Sequence, residues 1–256
     1  LDIVNLAHGS FYLLGAYAGL TLIAVTGSFW LALVVAPLVV GTIGALIERG
    51  LLRPLYRRPT LDQVLLTFGL IYFFEDMVKW IWGGKIRSIP VPALFSGSVN
   101  LGPLTIPSYR LFVIAFGFVM AVVLWLLIER TRLGSIIRAG VFDAEMTAGL
   151  GINISRVFTG VFAFGAALGG LSGVIAGPIQ SAYPAMGVSI LIPALIVVVV
   201  GGLGSLKGSL VGSLIIGQAE TFGKAWLPGV SMLMIYLVMA LIVLLRPQGL
   251  FGRPLK

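Results

Sequence analysis

Ionisable side chains are few in this chain, 17 Lys and Arg with 9 Asp and Glu among 256 residues, so those set in apolar surroundings are the first candidates for chemistry. Asp2, Asn5 and His8 recur at every third position, which places them on one face of a helix start. Polar groups there are costly without partners, so the trio marks either a water-lined path or an interfacial helix end in which His8 is structural. Glu75 and Asp76 precede Lys79 by four and three residues, a spacing that predicts ion pairing, with a proton or cation relay as the sharper alternative. Glu220 and Lys224 repeat the same spacing and predict a second pair. Gln180, Ser181 and Tyr183 group hydrogen-bonding side chains that suit a solute or a docked protein, while Tyr183 equally suits the aromatic belt of a membrane surface.

Other chemistries find less support. Gly170, Leu171, Ser172 and Gly173 spell the GxSG of rhomboid-type intramembrane proteases, but that family places its histidine after the serine and the single His8 comes before it. In the run GGLGSLKGS, Leu206 rather than Gly precedes Lys207, so it does not read as a phosphate loop, and any ATP would be used by partner chains. With no Cys and one His, thiol chemistry, disulfides and Cys- or His-built metal sites are excluded, and no cofactor is expected.

The elements that must carry these residues follow from composition. The chain is 59% hydrophobic and 10% charged with mean hydropathy +1.09, against roughly 25% charged residues in a soluble domain. Its apolar residues fall in blocks close to the roughly 20 residues that cross a hydrocarbon core. The expected architecture is all-α, a polytopic transmembrane helical bundle forming one domain over residues 1–256. Eight spans are expected: Gly9 to Thr26, Ser28 to Ile47, Leu61 to Trp82, Leu111 to Ile128, Val157 to Ile179, Val188 to Leu203, Gly208 to Phe222 and Val230 to Leu245. The sixth and seventh are short enough to be tilted helices or half-helices around a break. The start at Leu1, with an apolar span close behind and no signal-peptide pattern, predicts that one further span precedes it.

Basic residues set the sidedness, because Lys and Arg in short loops remain cytoplasmic. Arg49, Arg53, Arg57 and Arg58, then Arg130, Arg132, Arg138 and Arg156, then Lys207, then Arg246, Arg253 and Lys256 occupy every second connection. The intervening loops hold only Lys85, Arg87, Arg110 and Lys224, so both visible termini are expected on the cytoplasmic side. The net charge of +8 is thereby explained by topology rather than by nucleic acid. The Pro- and Gly-rich stretch from Gly83 to Arg110 predicts an irregular external loop, either a connector or a contact for an external partner.

Helices in lipid associate by close backbone approach at small residues. Gly165, Gly169, Gly173 and Gly177 form a stripe along the fifth span, Gly204, Gly208 and Gly212 form a second, and Gly15 with Gly19 a shorter one. Pro37 and Pro193 fall inside spans, where each removes a helical hydrogen bond and points toward an interior route. Asn5, His8, Tyr12, Pro37 and Pro193 are therefore the candidate translocation path.

The segment GSIIRAGVFDAEMTAGLGINISR, residues 134–156, puts Ile137, Val141, Ala144 and Ala148 at helical spacing, with Gly149 and Gly151 as helix stops. It predicts one short amphipathic helix, which on form alone equally suits an interfacial surface helix. It resembles the EAA-type loop of bacterial ABC importer permeases, Glu145, Ala148 and Gly151 matching and Met146 departing where that pattern has Ala. DIVNLAHGSFYLLGAY, ERGLLRPLYRRPTLDQVLLTFGL, GLGINISRVF and VVVVGGLGSLKGSLVG, spread over almost the whole chain, resemble the high-affinity branched-chain amino acid permeases. That resemblance implies a second permease subunit, two ATP-binding subunits and an extracytoplasmic solute-binding protein, with Arg138, Asp143, Glu145, Ala148 and Gly151 coupling the chain to the ATPase. The alternative is a gradient-driven secondary transporter or channel using Glu75, Asp76 and Glu220. The solute stays open among branched-chain and other neutral amino acids, short amides and urea.

Overall fold

A computed structural model of the chain describes residues 5–56, 58–102, 104–226 and 228–252. Asp2, Arg57, Pro103, Arg253 and Lys256 lie outside the described residues. Among the described residues ten α-helices follow one another: α1 His8–Thr26, α2 Phe29–Ile47, α3 Thr60–Trp82, α4 Ser108–Arg130, α5 Arg132–Phe142, α6 Ala144–Gly149, α7 Ile154–Gln180, α8 Met186–Gly201, α9 Leu206–Trp226 and α10 Ser231–Leu245. The eight expected spans correspond to α1 to α4 and α7 to α10, so the bundle is helical and polytopic. The helices starting at His8, Phe29, Ser108 and Ile154 are long and apolar enough to cross a membrane on their own. α8 and α10 are apolar but shorter. Of the two forms open to the sixth and seventh spans, half-helices around a break are not seen: α8 runs through Pro193 and α9 is continuous over its 21 residues.

The chain divides into two compact units, Leu1–Val188 and Ser189–Lys256. In the first, α7 packs on both α1 and α2, which also pack on each other, and α3 lies along α1. The crossing of α1 and α7 is backbone on backbone. A Cβ at Gly173 would lie 2.1 Å from the Tyr12 carbonyl oxygen, and one at Gly15 would lie 2.1 Å from the Gly170 carbonyl oxygen. On α2, a Cβ at Gly44 would meet Ala166 Cβ at 2.4 Å. Gly169 faces Phe11 and His8, and Gly177 faces Ile89. Gly165 departs from the stripe expectation, since nothing among the described residues lies within 4 Å of a Cβ placed there. The crossing uses Gly170 instead, which is off the fourfold ladder but points at Val40 and lays its backbone against Gly15.

α4 is apolar along its length, and none of the apolar window that could cross the membrane is buried inside the chain. Its start is packed, where Tyr109 and Phe112 join Phe29, Trp30 and Phe95, with Phe95 and Phe112 stacked at 4.5 Å. The Gly83 to Arg110 stretch is more ordered than expected. It contains a helical turn at Ala93–Phe95 and an antiparallel hairpin, β1 Ser98–Leu101 with β2 Leu104–Pro107, in register Val99 opposite Ile106. Gly102, with φ +64°, supplies the left-handed turn that the hairpin needs. An isolated bridge pairs Arg87 with Ala182 and ties this stretch to the end of α7.

In the second unit, α9 packs against α10, and Ile196, Val200, Ile216 and Ile235 form an apolar core. α8 and α9 meet at glycines, a Cβ at Gly208 lying 2.0 Å from the Gly201 carbonyl oxygen and one at Gly212 lying 2.8 Å from the Val197 carbonyl oxygen. Gly204 does not take part in this contact. It lies in the connection between the two helices with φ +77°, where a left-handed turn and not packing requires glycine. After α10 the chain turns back, and the amides of Leu250 and Phe251 donate to the Val200 and Gly201 carbonyls at 2.9 and 3.0 Å, satisfying the end of α8.

Candidate functional site

The segment expected as one amphipathic helix is two. α5 ends at Phe142 and α6 begins at Ala144, because Asp143 is extended, with φ −150° and ψ 102°, and its carboxylate accepts from the Met146 amide at 2.8 Å. An aspartate in that geometry is an N-cap, so Asp143 forms the joint between two short helices. α6 is closed by Gly151, whose φ of +82° suits glycine and whose amide donates to the Ala148 carbonyl at 2.9 Å.

The pair is anchored on one side and open on the other. A Cβ at Gly134 would lie 2.0 Å from the Ile128 carbonyl oxygen, so α5 folds tightly back on α4. Arg138 reinforces that turn rather than reaching outward, donating to the Ile128 carbonyl and lying 3.7 Å from Glu129. Gly140 faces Ile154 and Phe158 of α7, and Thr147 is buried with its hydroxyl donating to the Asp143 carbonyl at 2.6 Å. The free side carries Glu145 and Ala148, both exposed, among Phe142 at 85%, Met146 at 71% and Leu150 at 76% exposure. An exposed apolar patch of this kind with one acid in it has the composition of a docking surface.

A second cluster had no signal in helical spacing. Glu48 is fully buried although it follows an apolar span. It opens a π-turn, Glu48–Leu52, whose wider pitch brings Arg53, five residues on, to the same face. The Arg53 guanidinium reaches both Glu48 carboxylate oxygens at 3.3 and 3.4 Å, the Ser155 carbonyl at 3.0 Å and the Thr159 hydroxyl. Thr159 donates to Glu48 Oε2 at 2.6 Å, and the Tyr56 hydroxyl donates to Oε1 at 3.0 Å. Burial, then the neighbouring Glu48 carboxylate, push the Tyr56 phenol well above its ordinary range against the opposing pull of Arg53, so Tyr56 stays a donor. Spacings of three and four residues cannot find a pair five apart. An acid closing an apolar span, followed within two turns by Arg, is the signal that would have found it.

The candidate path residues are only partly brought together. Asn5 is not on the helical face of His8. It precedes α1 and its side chain accepts from the Ala7 amide at 3.1 Å, a local turn bond. His8 opens α1 and is exposed, edge-on to Phe11. Tyr12 is nearly buried and donates to Gln180 Oε1 at 2.9 Å, which joins the first span to the end of α7 beside half-buried Tyr183. Pro37 is buried inside a continuous α2, and Pro193 lies in the second unit.

The sequence that builds these apolar spans, glycine-mediated crossings and the anchored helix pair has counterparts among known proteins. The sequence profile described as branched-chain amino acid transport system / permease component matches residues 1–243. The chain belongs to that family.

Relatives of the permease cover nearly its full length. The high-affinity branched-chain amino acid transport system permease protein BraD of Pseudomonas aeruginosa is 31% identical, over 99% of this chain and 87% of its own. The corresponding permease protein LivH of Escherichia coli K12 is 29% identical over the same shares, and a probable LivH of Methanocaldococcus jannaschii is 28% identical over 98% of this chain and 84% of its own. No solved structure matches the chain. In a permease the remaining polar residues need no reaction. The Ser172 hydroxyl donates to the Gly169 carbonyl at 2.7 Å, within its own helix. Lys79 bridges Glu75 at 2.8 Å and Asp76 at 3.2 Å, and Lys224 pairs with Glu220, as their spacing predicts.

Proposed function

We propose that the chain is the membrane-spanning subunit of an ATP-driven importer, carrying branched-chain amino acids or closely related small polar solutes by alternating access. Its partners are a second permease subunit, two ATP-binding subunits and an extracytoplasmic binding protein, and both termini lie in the cytoplasm. The observation that carries this reading is the α5–α6 pair. A motor outside the membrane needs a rigid handle, and this one is fixed to α4 and α7 through Gly134, Arg138 and Gly140 while Glu145 and its apolar neighbours stay free. Closure of an ATPase dimer against that face tilts the helices behind it and changes which side of the membrane the route faces.

The test is uptake by the complete complex in proteoliposomes. ATP inside the lumen that faces the ATPase is expected to drive accumulation, and an imposed proton or sodium gradient without ATP is expected to drive none. Gradient-only uptake would assign Glu75, Asp76 and Glu220 to the coupling instead. Within the route, Tyr12 is the residue most suited to sense a solute, because its hydroxyl is buried and already joined to Gln180. Tyr12→Phe removes a hydrogen bond worth ~1 kcal/mol, so the transport KM is expected to rise, or the rate to fall, about fivefold with assembly unchanged. Wild-type transport by that variant would place the route elsewhere.

A further inference from the structure

We infer that the cluster of Glu48, Arg53, Tyr56 and Thr159, centred on the buried Glu48 carboxylate, is the joint that carries movement of the α5–α6 pair into α2, so these are positioning residues for energy coupling; this rests on the function proposed above. Three observations place the joint. The first two turns of α7 are gripped on adjacent faces, Ile154 and Phe158 by Gly140 of α5, and Ser155 and Thr159 by Arg53. The grip passes directly to the end of α2, because Thr159 and Arg53 both end on the Glu48 carboxylate. The backbone there is a π-turn, a rare single-turn insertion in a helix that recurs at functional sites.

A structural role alone explains this cluster poorly. Taking a carboxylate fully out of water is unfavourable, and an apolar side chain of similar size serves packing at least as well. What a buried ion pair with directional bonds does better is hold one arrangement until a force substitutes another. Arg53 suits that exchange, since its side chain is 37% exposed and can trade Ser155 and Thr159 for water while still neutralising Glu48. α2 and α7 lie side by side from Gly41 and Gly44 to this joint, so the joint sets how a shift of the α7 start is conveyed to the end of α2.

The test measures ATP hydrolysed per solute imported by the reconstituted complex carrying Glu48→Gln or Thr159→Val. Both variants are expected to co-purify with the ATPase and to keep hydrolysis stimulated by loaded binding protein. Solute imported per ATP is expected to fall about three- to thirtyfold, the range expected for loosening one element of a coupled network. Thr159→Ser, which keeps the hydroxyl, is expected to restore the wild-type ratio. A wild-type ratio in Thr159→Val, or uptake and hydrolysis falling in step in both variants without rescue by Thr159→Ser, would overturn the joint. Thr159→Val is close to isosteric and decides the question alone if Glu48→Gln fails to assemble. Wild-type complex that imports without ATP overturns the proposed function itself, a result read before any variant is compared.

Discussion

Gly173→Leu is expected to prevent the first unit from folding, whereas Gly165→Leu in the same stripe is expected to leave it intact. At position 173 the first side-chain carbon would fall 2.1 Å from the Tyr12 carbonyl oxygen and 2.8 Å from the Ala16 amide nitrogen, both backbone atoms of the crossing helix. Nothing there can rotate away, so α1 and α7 must separate. Overpacking an ordinary core costs ~1–3 kcal/mol, and here the obstacle is a second helix, so the loss is expected to exceed ~3 kcal/mol. Position 165 offers open space within 4 Å among the described residues. Comparing the two proteins for monodispersity and thermal midpoint in detergent checks this, and equal behaviour would mean that α1 and α7 do not cross as described.

Glu145→Arg is expected to abolish association with the ATP-binding subunits while leaving membrane insertion and folding untouched. Glu145 is exposed on a six-residue helix and no bond holds it to the rest of the described chain, so its replacement disturbs nothing internal. Its surroundings are the exposed Phe142, Met146 and Leu150, so a partner covering them must neutralise or hydrogen-bond the acid. Reversing the charge leaves an unpaired or repelled cation in a desolvated contact, which costs several kcal/mol, and binding is expected to weaken by at least about a hundredfold. Co-purification reads this directly. Arg138→Ala is the contrast: because Arg138 bonds Ile128 and Glu129, it is expected to lower thermal stability before it weakens association. Normal recovery of the ATPase with the Glu145→Arg chain would remove α6 from the interface.

The spans were legible because lipid demands uninterrupted apolar length, a one-dimensional property that the sequence displays directly. Ion pairs at a spacing of four, such as Glu75 with Lys79, were legible for a similar reason: they depend only on helical pitch. What depends on how two helices cross was not. Gly165 and Gly173 are equivalent on a ladder, and only the angle at which α1 passes decides which meets backbone and which meets open space. The break at Asp143 escaped because the apolar spacing runs on through it, although aspartate three residues before Met146, the donor of its capped amide, is an N-cap arrangement. The Glu48 cluster escaped because a π-turn changes the pitch by which side chains are assigned to a face. Arg53 there counted only as a loop charge, yet it serves both topology and structure.

The chain has no cysteine, so a single introduced thiol reports on one place only. Met146→Cys puts that thiol on the open face of α6, next to Glu145. In sealed right-side-out vesicles containing the whole complex, a membrane-impermeant maleimide is expected to leave it unlabelled until the membrane is opened. A short bifunctional cross-linker is then expected to join it to the ATP-binding subunit, in a yield that changes with bound nucleotide. Labelling from the outside of sealed vesicles, or a cross-link yield indifferent to the presence of the ATPase and its nucleotide, would contradict force transmission through this helix pair.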